Sequence, residues 1–234
     1  MKPLVILPVL NEEAAIEGML KKIRDCGLEV VVVDEHSSDA SAAIASRMGA
    51  EVVQRDGTGK GQAIKKGLEL ATQRGHDYLL WIDCDGTYPA ERLSEFTRFE
   101  QFDMIVGTRP MHSIEFKRRI ANYLMTGFVN LLFGSSFKDV ASGMRAVRVA
   151  TFKNLITADS FDIEPQLSCI AAREGFSVKE IDIPYYARTG TSKIHILHFF
   201  LILARIFRER LTKSAHSGQK LQSNKAILQC KKTT

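Results

Sequence analysis

The feature that most constrains this chain is the alternation of short apolar runs with amphipathic stretches over residues 4–82. Residues 4–7 form an apolar run. Ile16, Met19, Leu20 and Ile23 then recur at i, i+3, i+4, i+7, the spacing of one helix face. Val30, Val31, Val32 and Val33 follow in a row, the composition of a strand buried on both sides. A helix over 40–48, a strand over 51–54, a helix over 60–74 and a strand over 78–82 continue the rhythm. Strands separated by helices need crossover connections, so the sequence predicts an α/β fold with a mostly parallel central sheet flanked by helices. Beyond it the reading is a strand at 103–107, a helix at 120–133, and a polar turn leading into a strand over 139–148. A helix at 162–173, a strand at 178–183 and a Gly/Ser/Thr-rich loop over 184–193 complete the pattern, with no internal repeat.

Ligands of such sheets gather outside the carboxyl ends of the strands. Pro8, Asn11 and Glu12 follow the first strand; Asp34, Glu35 and Asp39 follow the second. Asp56, Gly57, Gly59 and Lys60 follow the third, and Asp83 and Asp85 follow the fourth. Two carboxylates one residue apart repel unless something cationic lies between them. A hard divalent ion, Mg²⁺ or Mn²⁺, bridging a diphosphate would resolve that conflict. The other reading of Asp83 and Asp85 is a turn with capping acids, since Asp85-Gly86-Thr87 is turn-like. Asp34 is placed to accept from a nucleobase N–H or a ribose hydroxyl, or else to serve as a helix N-terminal acid. Ser37, Ser38 and Asp39 suit the helix role better. Gly57-Thr58-Gly59-Lys60-Gly61 would let backbone N–H groups and Lys60 approach phosphates, although it lacks the Walker A spacing. No GxGxxG follows the first strand, which counts against a dinucleotide oxidoreductase. His195 and His198 share a helix side and read as a polar edge rather than a metal site.

The net charge of +5 is concentrated in the tail. Residues 213–234 hold five lysines and no acid, and removing them leaves 27 basic and 27 acidic residues in 1–212. A formally neutral body argues against nucleic acid as a partner. The basic tail fits either an anionic membrane surface or a solvated, disordered segment. The four cysteines, Cys26, Cys84, Cys169 and Cys230, have no metal-ligand spacing and read as reduced thiols, favouring the cytosolic side of a membrane. The start of the chain lacks the regions of a signal peptide. The uncharged runs 194–204 and 120–137 are candidates for spanning segments. The first is too short, and the second carries Asn122, Thr126 and Asn130 every four residues; both read as amphipathic. The expected organisation is one domain over 1–193, an amphipathic, membrane-contacting helix over 194–212 and a basic tail over 213–234.

Seven stretches taken in order then match something known: ILPVLNEE (6–13), VVVDEHSSDAS (31–41), GTGKGQAIKKGL (57–68), WIDCDGTYP (81–89), VGTRP (106–110), DVASGMRAVR (139–148) and IPYYARTGTSK (183–193). The chain resembles family 2 glycosyltransferases of the GT-A fold, most closely the dolichol-phosphate mannosyltransferase and polyprenyl-phosphate glycosyltransferase branch. The resemblance implies a nucleoside pocket lined by Pro8, Asn11, Glu12 and Asp34, with Lys60 near the donor. It implies a divalent cation on Asp83 and Asp85, and Asp139 and Arg145 near the transferred sugar or the acceptor phosphate. Arg118 or Arg119, with Arg188, Ser192 and Lys193, would bind the phosphate of a dolichyl or polyprenyl acceptor. The implied reaction is a single inverting displacement of a nucleoside diphosphate, with GDP-mannose the first choice of donor and a UDP-sugar next. Small membrane subunits are possible partners by the same analogy. This chain departs from the family pattern at Glu35 and His36, where a second Asp and a Gly are common, and at Thr87, where a Gln often reaches the metal. Three rival readings stand beside this one. The first is a soluble transferase acting on a non-lipid hydroxyl, with Asp139 or Glu164 as base. The others are a non-catalytic regulatory subunit and a sugar nucleotidyltransferase, the last lacking its Gly-rich loop.

Overall fold

The computed structural model describes residues 1–55, 57–188 and 196–214. The elements run β1 (Pro3–Val9), α1 (Ile16–Asp25), β2 (Val30–Asp34), α2 (Ser41–Arg47), β3 (Glu51–Gln54), α3 (Lys60–Gln73), β4 (Tyr78–Trp81), α4 (Leu93–Phe96) and β5 (Met104–Thr108). They continue with α5 (Phe116–Phe133), β6 (Arg145–Arg148), α6 (Val149–Phe152), α7 (Ile163–Glu174), β7 (Val178–Asp182) and α8 (Ile196–Leu211). The seven strands form one sheet in the order β3-β2-β1-β4-β6-β5-β7. All neighbours are parallel except β6, which runs antiparallel to both β4 and β5. The reversal matters for the site. The loop entering β6 arrives at the same sheet edge as the loops leaving β1, β2, β4 and β5.

Alternation along β1 sends Val5, Leu7 and Val9 to one face, onto the α1 stripe of Ile16, Met19, Leu20 and Ile23. Leu4 and Ile6 point to the other face, into a core shared with Ala63, Ile64 and Leu68 of α3 and Leu167 of α7. Each such side chain, fully buried, contributes roughly 1.5–3 kcal/mol. The four valines of β2 are buried on both faces, as their composition requires.

Helices α5, α7 and α8 share a third, smaller cluster built on Met125, Val129, Cys169, Ile202 and Ile206. The polar stripe of α5 faces inward. Asn122 and Thr126 are buried, while Ile120, Tyr123, Leu124 and Leu131 are exposed. The inward amides hold the segment entering β6: Asn130 Nδ2 donates to Phe137 O at 2.9 Å, and Asn130 Oδ1 accepts from Phe137 N at 2.9 Å. Among the described residues no helix is long and apolar enough to cross a membrane. Among the described residues Cys26, Cys84 and Cys169 form no disulfide; Cys230, His195 and the basic tail from residue 215 lie outside the described residues.

Candidate active site

A cavity of about 650 Å³ opens at the carboxyl edge of the sheet, lined by Pro8, Glu12, Glu35, Lys60, Asp83, Asp85, Tyr88, Arg109, Arg118, Glu164 and Arg188. Its lining also holds apolar side chains: Met125 of α5, Phe199 and Ile202 of α8, Ile114 just before α5 and Phe161 just before α7. One space therefore holds charged and apolar groups together.

Asp83 and Asp85 leave β4 into this cavity. Asp85 is buried, and its Oδ1 accepts from Thr87 N at 3.1 Å and Thr87 Oγ1 at 2.6 Å, which fixes the carboxylate. Thr87 therefore orients Asp85. Asp85 Oδ2 meets Arg188 Nη1 at 3.0 Å. Asp83 Oδ1 is paired with Lys60 Nζ, which also pairs with Glu164 Oε1 of α7. Burial pushes the Asp83 carboxyl up; Lys60 pulls against it, Asp85 and Glu164 add to it, and the result is about 6. Burial would lower the Lys60 ammonium, but the two carboxylates outweigh it and hold it above its ordinary value. Gly143, in the loop entering β6, lies so close that a Cβ there would collide with the Asp83 carboxylate.

At the end of β2, Asp34 is buried with Oδ2 accepting from Ser37 N at 3.1 Å and Gln54 Nε2 at 3.0 Å. Its Oδ1 is buried without a partner among the described residues, an acceptor waiting for a donor. Asn11 is exposed with φ 52° and binds the loop after β2 through Oδ1, which accepts from Ser38 N at 2.8 Å. His36, where relatives often have Gly, has φ 55°, a left-handed conformation that glycine adopts freely. Glu35 pairs with the buried Arg55 and accepts from Gly59 N at 3.0 Å. The Gly59 and Gly61 positions show a packing need for glycine here. Both glycines abut the backbone of residues 158–160, where a Cβ would collide, so they serve close packing.

The structure separates the remaining candidates. Asp139 is almost wholly buried, and its carboxylate accepts from Arg109 Nε at 2.7 Å, Arg109 Nη2 at 2.8 Å and Asn122 Nδ2 at 3.0 Å. Burial would raise its pKa, yet Arg109 and the hydrogen bonds outweigh burial and hold it below the usual carboxylate value. A carboxylate so engaged orients Arg109 and is poorly suited to act as a base. Arg145 is fully buried and spends its donors on Ser142 O at 2.9 Å, Val140 O at 2.7 Å and Ser168 Oγ at 3.0 Å. It braces the loop from behind and lies outside the cavity lining, a correction to its expected place beside the sugar or the acceptor phosphate. Arg118 lines the cavity, 3.6 Å from Glu115, whereas Arg119 stacks over Phe116 at 5.3 Å. Ser192 and Lys193 lie outside the described residues.

The sequence reading passed over Arg109, Tyr88 and Tyr185. Arg109 Cζ sits 5.4 Å from the Tyr185 ring centroid, and Tyr185 meets Tyr88 edge to face at 5.2 Å. Tyr88 Oη accepts from Gly143 N at 2.7 Å. The strand-end rule would have found Arg109, which follows parallel strand β5 directly.

A mixed sheet of this order, with an acid pair at the end of β4, is the architecture of the GT-A glycosyltransferases. Structures of glucosyl-3-phosphoglycerate synthase from Mycobacterium tuberculosis share it. The complex with Mn²⁺, UDP-glucose and phosphoglyceric acid superposes with a TM-score of 0.75 at 19% identity, covering 92% of this chain and 81% of that one. A model of glycosyl transferase family 2 matches residues 4–156, and the chain belongs to that family. The glycosyltransferase AglJ of Haloferax volcanii is 31% identical over 202 residues, 82% of this chain but only 65% of its own length. A dolichyl-phosphate hexose transferase of the same organism is 31% identical over 198 residues, 81% of this chain and 85% of that protein. An undecaprenyl-phosphate mannosyltransferase of Micrococcus luteus is 26% identical, covering 83% and 88%.

Proposed function

We propose that this protein transfers a hexose, mannose first, from a nucleotide sugar to the phosphate of a dolichyl or polyprenyl acceptor, with inversion. The observation that carries the reading is that one cavity holds the acid pair, the arginines and apolar side chains of α5 and α8. A sugar diphosphate suits the charged groups, and a phosphate on a hydrocarbon chain suits the charged and apolar groups together. The names of the two lipid-phosphate transferases support the same acceptor class.

The acid pair fits Mg²⁺ or Mn²⁺. Around it stand two basic side chains, Lys60 and Arg188, and four carboxylates, Asp83, Glu164, Asp85 and Glu12. Among these described residues the formal excess is two negative charges, and two carboxylates leave room for diphosphate oxygens and water. A bound divalent ion supplies electrostatic stabilisation of the departing diphosphate. The chain's own residues do the rest. Asp34 Oδ1 accepts from the nucleoside, and Pro8 and Glu12 shape its pocket. Arg109, oriented by Asp139, and Arg118 bind acceptor phosphate oxygens; guanidinium suits that geometry. A phosphate nucleophile is already anionic, so positioning replaces a strong general base. The exposed apolar residues of α5 and α8, with the basic residues beside them, would rest on the cytosolic surface of a membrane.

The test offers labelled GDP-mannose and UDP-glucose, with Mg²⁺ or Mn²⁺, with and without dolichyl phosphate. Label should enter the organic phase only when the lipid phosphate is present. Transfer to a water-soluble acceptor, with none to lipid phosphate, would favour a non-lipid substrate instead.

A further inference from the structure

Each acid of the pair has one oxygen held by a basic side chain, and on Asp85 the other is fixed by Thr87. On Asp85, Oδ1 is engaged by Thr87 and Oδ2 meets Arg188 Nη1 at 3.0 Å. On Asp83, Oδ2 lies against Gly143 and Oδ1 is paired with Lys60. A divalent ion held by this pair would compete with the two cations for the carboxylate oxygens they cover. Both cations also have a second carboxylate. Lys60 Nζ is paired at once with Glu164 Oε1, and Arg188 Nη2 lies 3.4 Å from Glu12 Oε1.

These contacts have a common logic. Four carboxylates around a buried floor repel strongly when nothing else is bound, and two internal cations relieve much of that repulsion. A lysine with a single carboxylate partner would lose its only counterion when a metal took that partner. A lysine resting between two carboxylates keeps one. Arg188 repeats the arrangement on the other side, and its Nε is buried with no partner among the described residues, so its donor set is incomplete as it stands.

We propose that Lys60 and Arg188 are exchangeable counterions of the acid pair. With a metal held by Asp83 and Asp85, Lys60 would rest on Glu164 and Arg188 on Glu12, and their freed N–H donors would serve phosphate oxygens. Glu164 and Glu12 are then positioning residues. The inference rests on the nucleotide-sugar reading above and adds a consequence to it: without metal, the enzyme binds nucleotide weakly partly because its own acids occupy its phosphate-binding cations.

The test is a double-mutant cycle on nucleotide binding without metal, read by calorimetry with UDP and GDP, each alone. Asp83→Asn keeps the shape of the side chain and weakens its hold on Lys60, so metal-free affinity should rise about tenfold. Removing a negative charge also lessens repulsion of the diphosphate through space, and Lys60→Met separates the two effects. If Lys60 is the released group, Asp83→Asn in the Lys60→Met background should gain less than about twofold. Equal gains in both backgrounds, or no gain in either, would overturn the exchange. Thermal unfolding of each variant checks that the fold survives. Mn²⁺ titrations of the same proteins keep the underlying reading separate. Asp83→Asn should lose the Mn²⁺-dependent increase in nucleotide affinity. If it keeps that increase, the metal assignment itself fails; if it loses it while metal-free affinity stays put, only the exchange fails.

Discussion

Asp85 combines burial, a carboxylate fixed by Thr87 and an oxygen held by Arg188, so its removal affects the chemistry more than the packing. Asp85→Ala should abolish transfer and Mn²⁺ binding while far-ultraviolet circular dichroism stays unchanged; wild-type turnover would refute the metal assignment. Asp83 adds a pH dependence. Its carboxyl sits at about 6, pushed there first by burial, and only the ionised form is a good ligand for a hard cation. Mn²⁺ affinity should therefore fall as pH drops through about 6 and level off above it. Gly143→Ala tests the scaffold around the same oxygen. The new methyl group would displace the Asp83 carboxylate, and a misplacement of about 1 Å costs on the order of 100-fold in rate. Turnover within twofold of wild type would mean that Asp83 tolerates the shift.

At the scale of elements, α5 explains why a run of uncharged residues is not a membrane span. Its amides turn inward to hold the loop entering β6, beside Met125 and Val129, while Ile120, Tyr123, Leu124 and Leu131 remain outside. Phe200 and Phe207 of α8 are also exposed, at 60% and 54%, with Arg208, Arg210 and Lys213 nearby in sequence. Replacing both phenylalanines by Glu should leave the melting temperature unchanged within a few degrees and reduce cosedimentation with anionic vesicles on the order of tenfold. Unchanged vesicle binding would place the membrane contact elsewhere. The sequence pattern located nearly every element, because the β1, β2 and α1 periodicities are unambiguous. It did not reveal that β6 runs backwards. A four-residue strand carries no mark of direction, and pairing is decided by neighbours far away in the chain.

For the whole molecule, the site follows from topology: loops from β1, β2, β4 and β5, and the loop entering the reversed β6, reach one edge. The acids were legible there because strand-end positions can be read from hydrophobic pattern alone. The ion pairs were not. Glu164 lies 104 positions beyond Lys60 and Arg188 lies 103 beyond Asp85, and no spacing rule joins such distant residues. Arg145 misled for the opposite reason, since a motif arginine can brace a loop as readily as it can touch a ligand. The most direct measurement is a crystal structure with Mn²⁺ and UDP. The account predicts an ion held by Asp83 and Asp85 together with the diphosphate, with the nucleoside against Asp34. Nucleotide bound away from this edge, or no ion between the two acids, would contradict it.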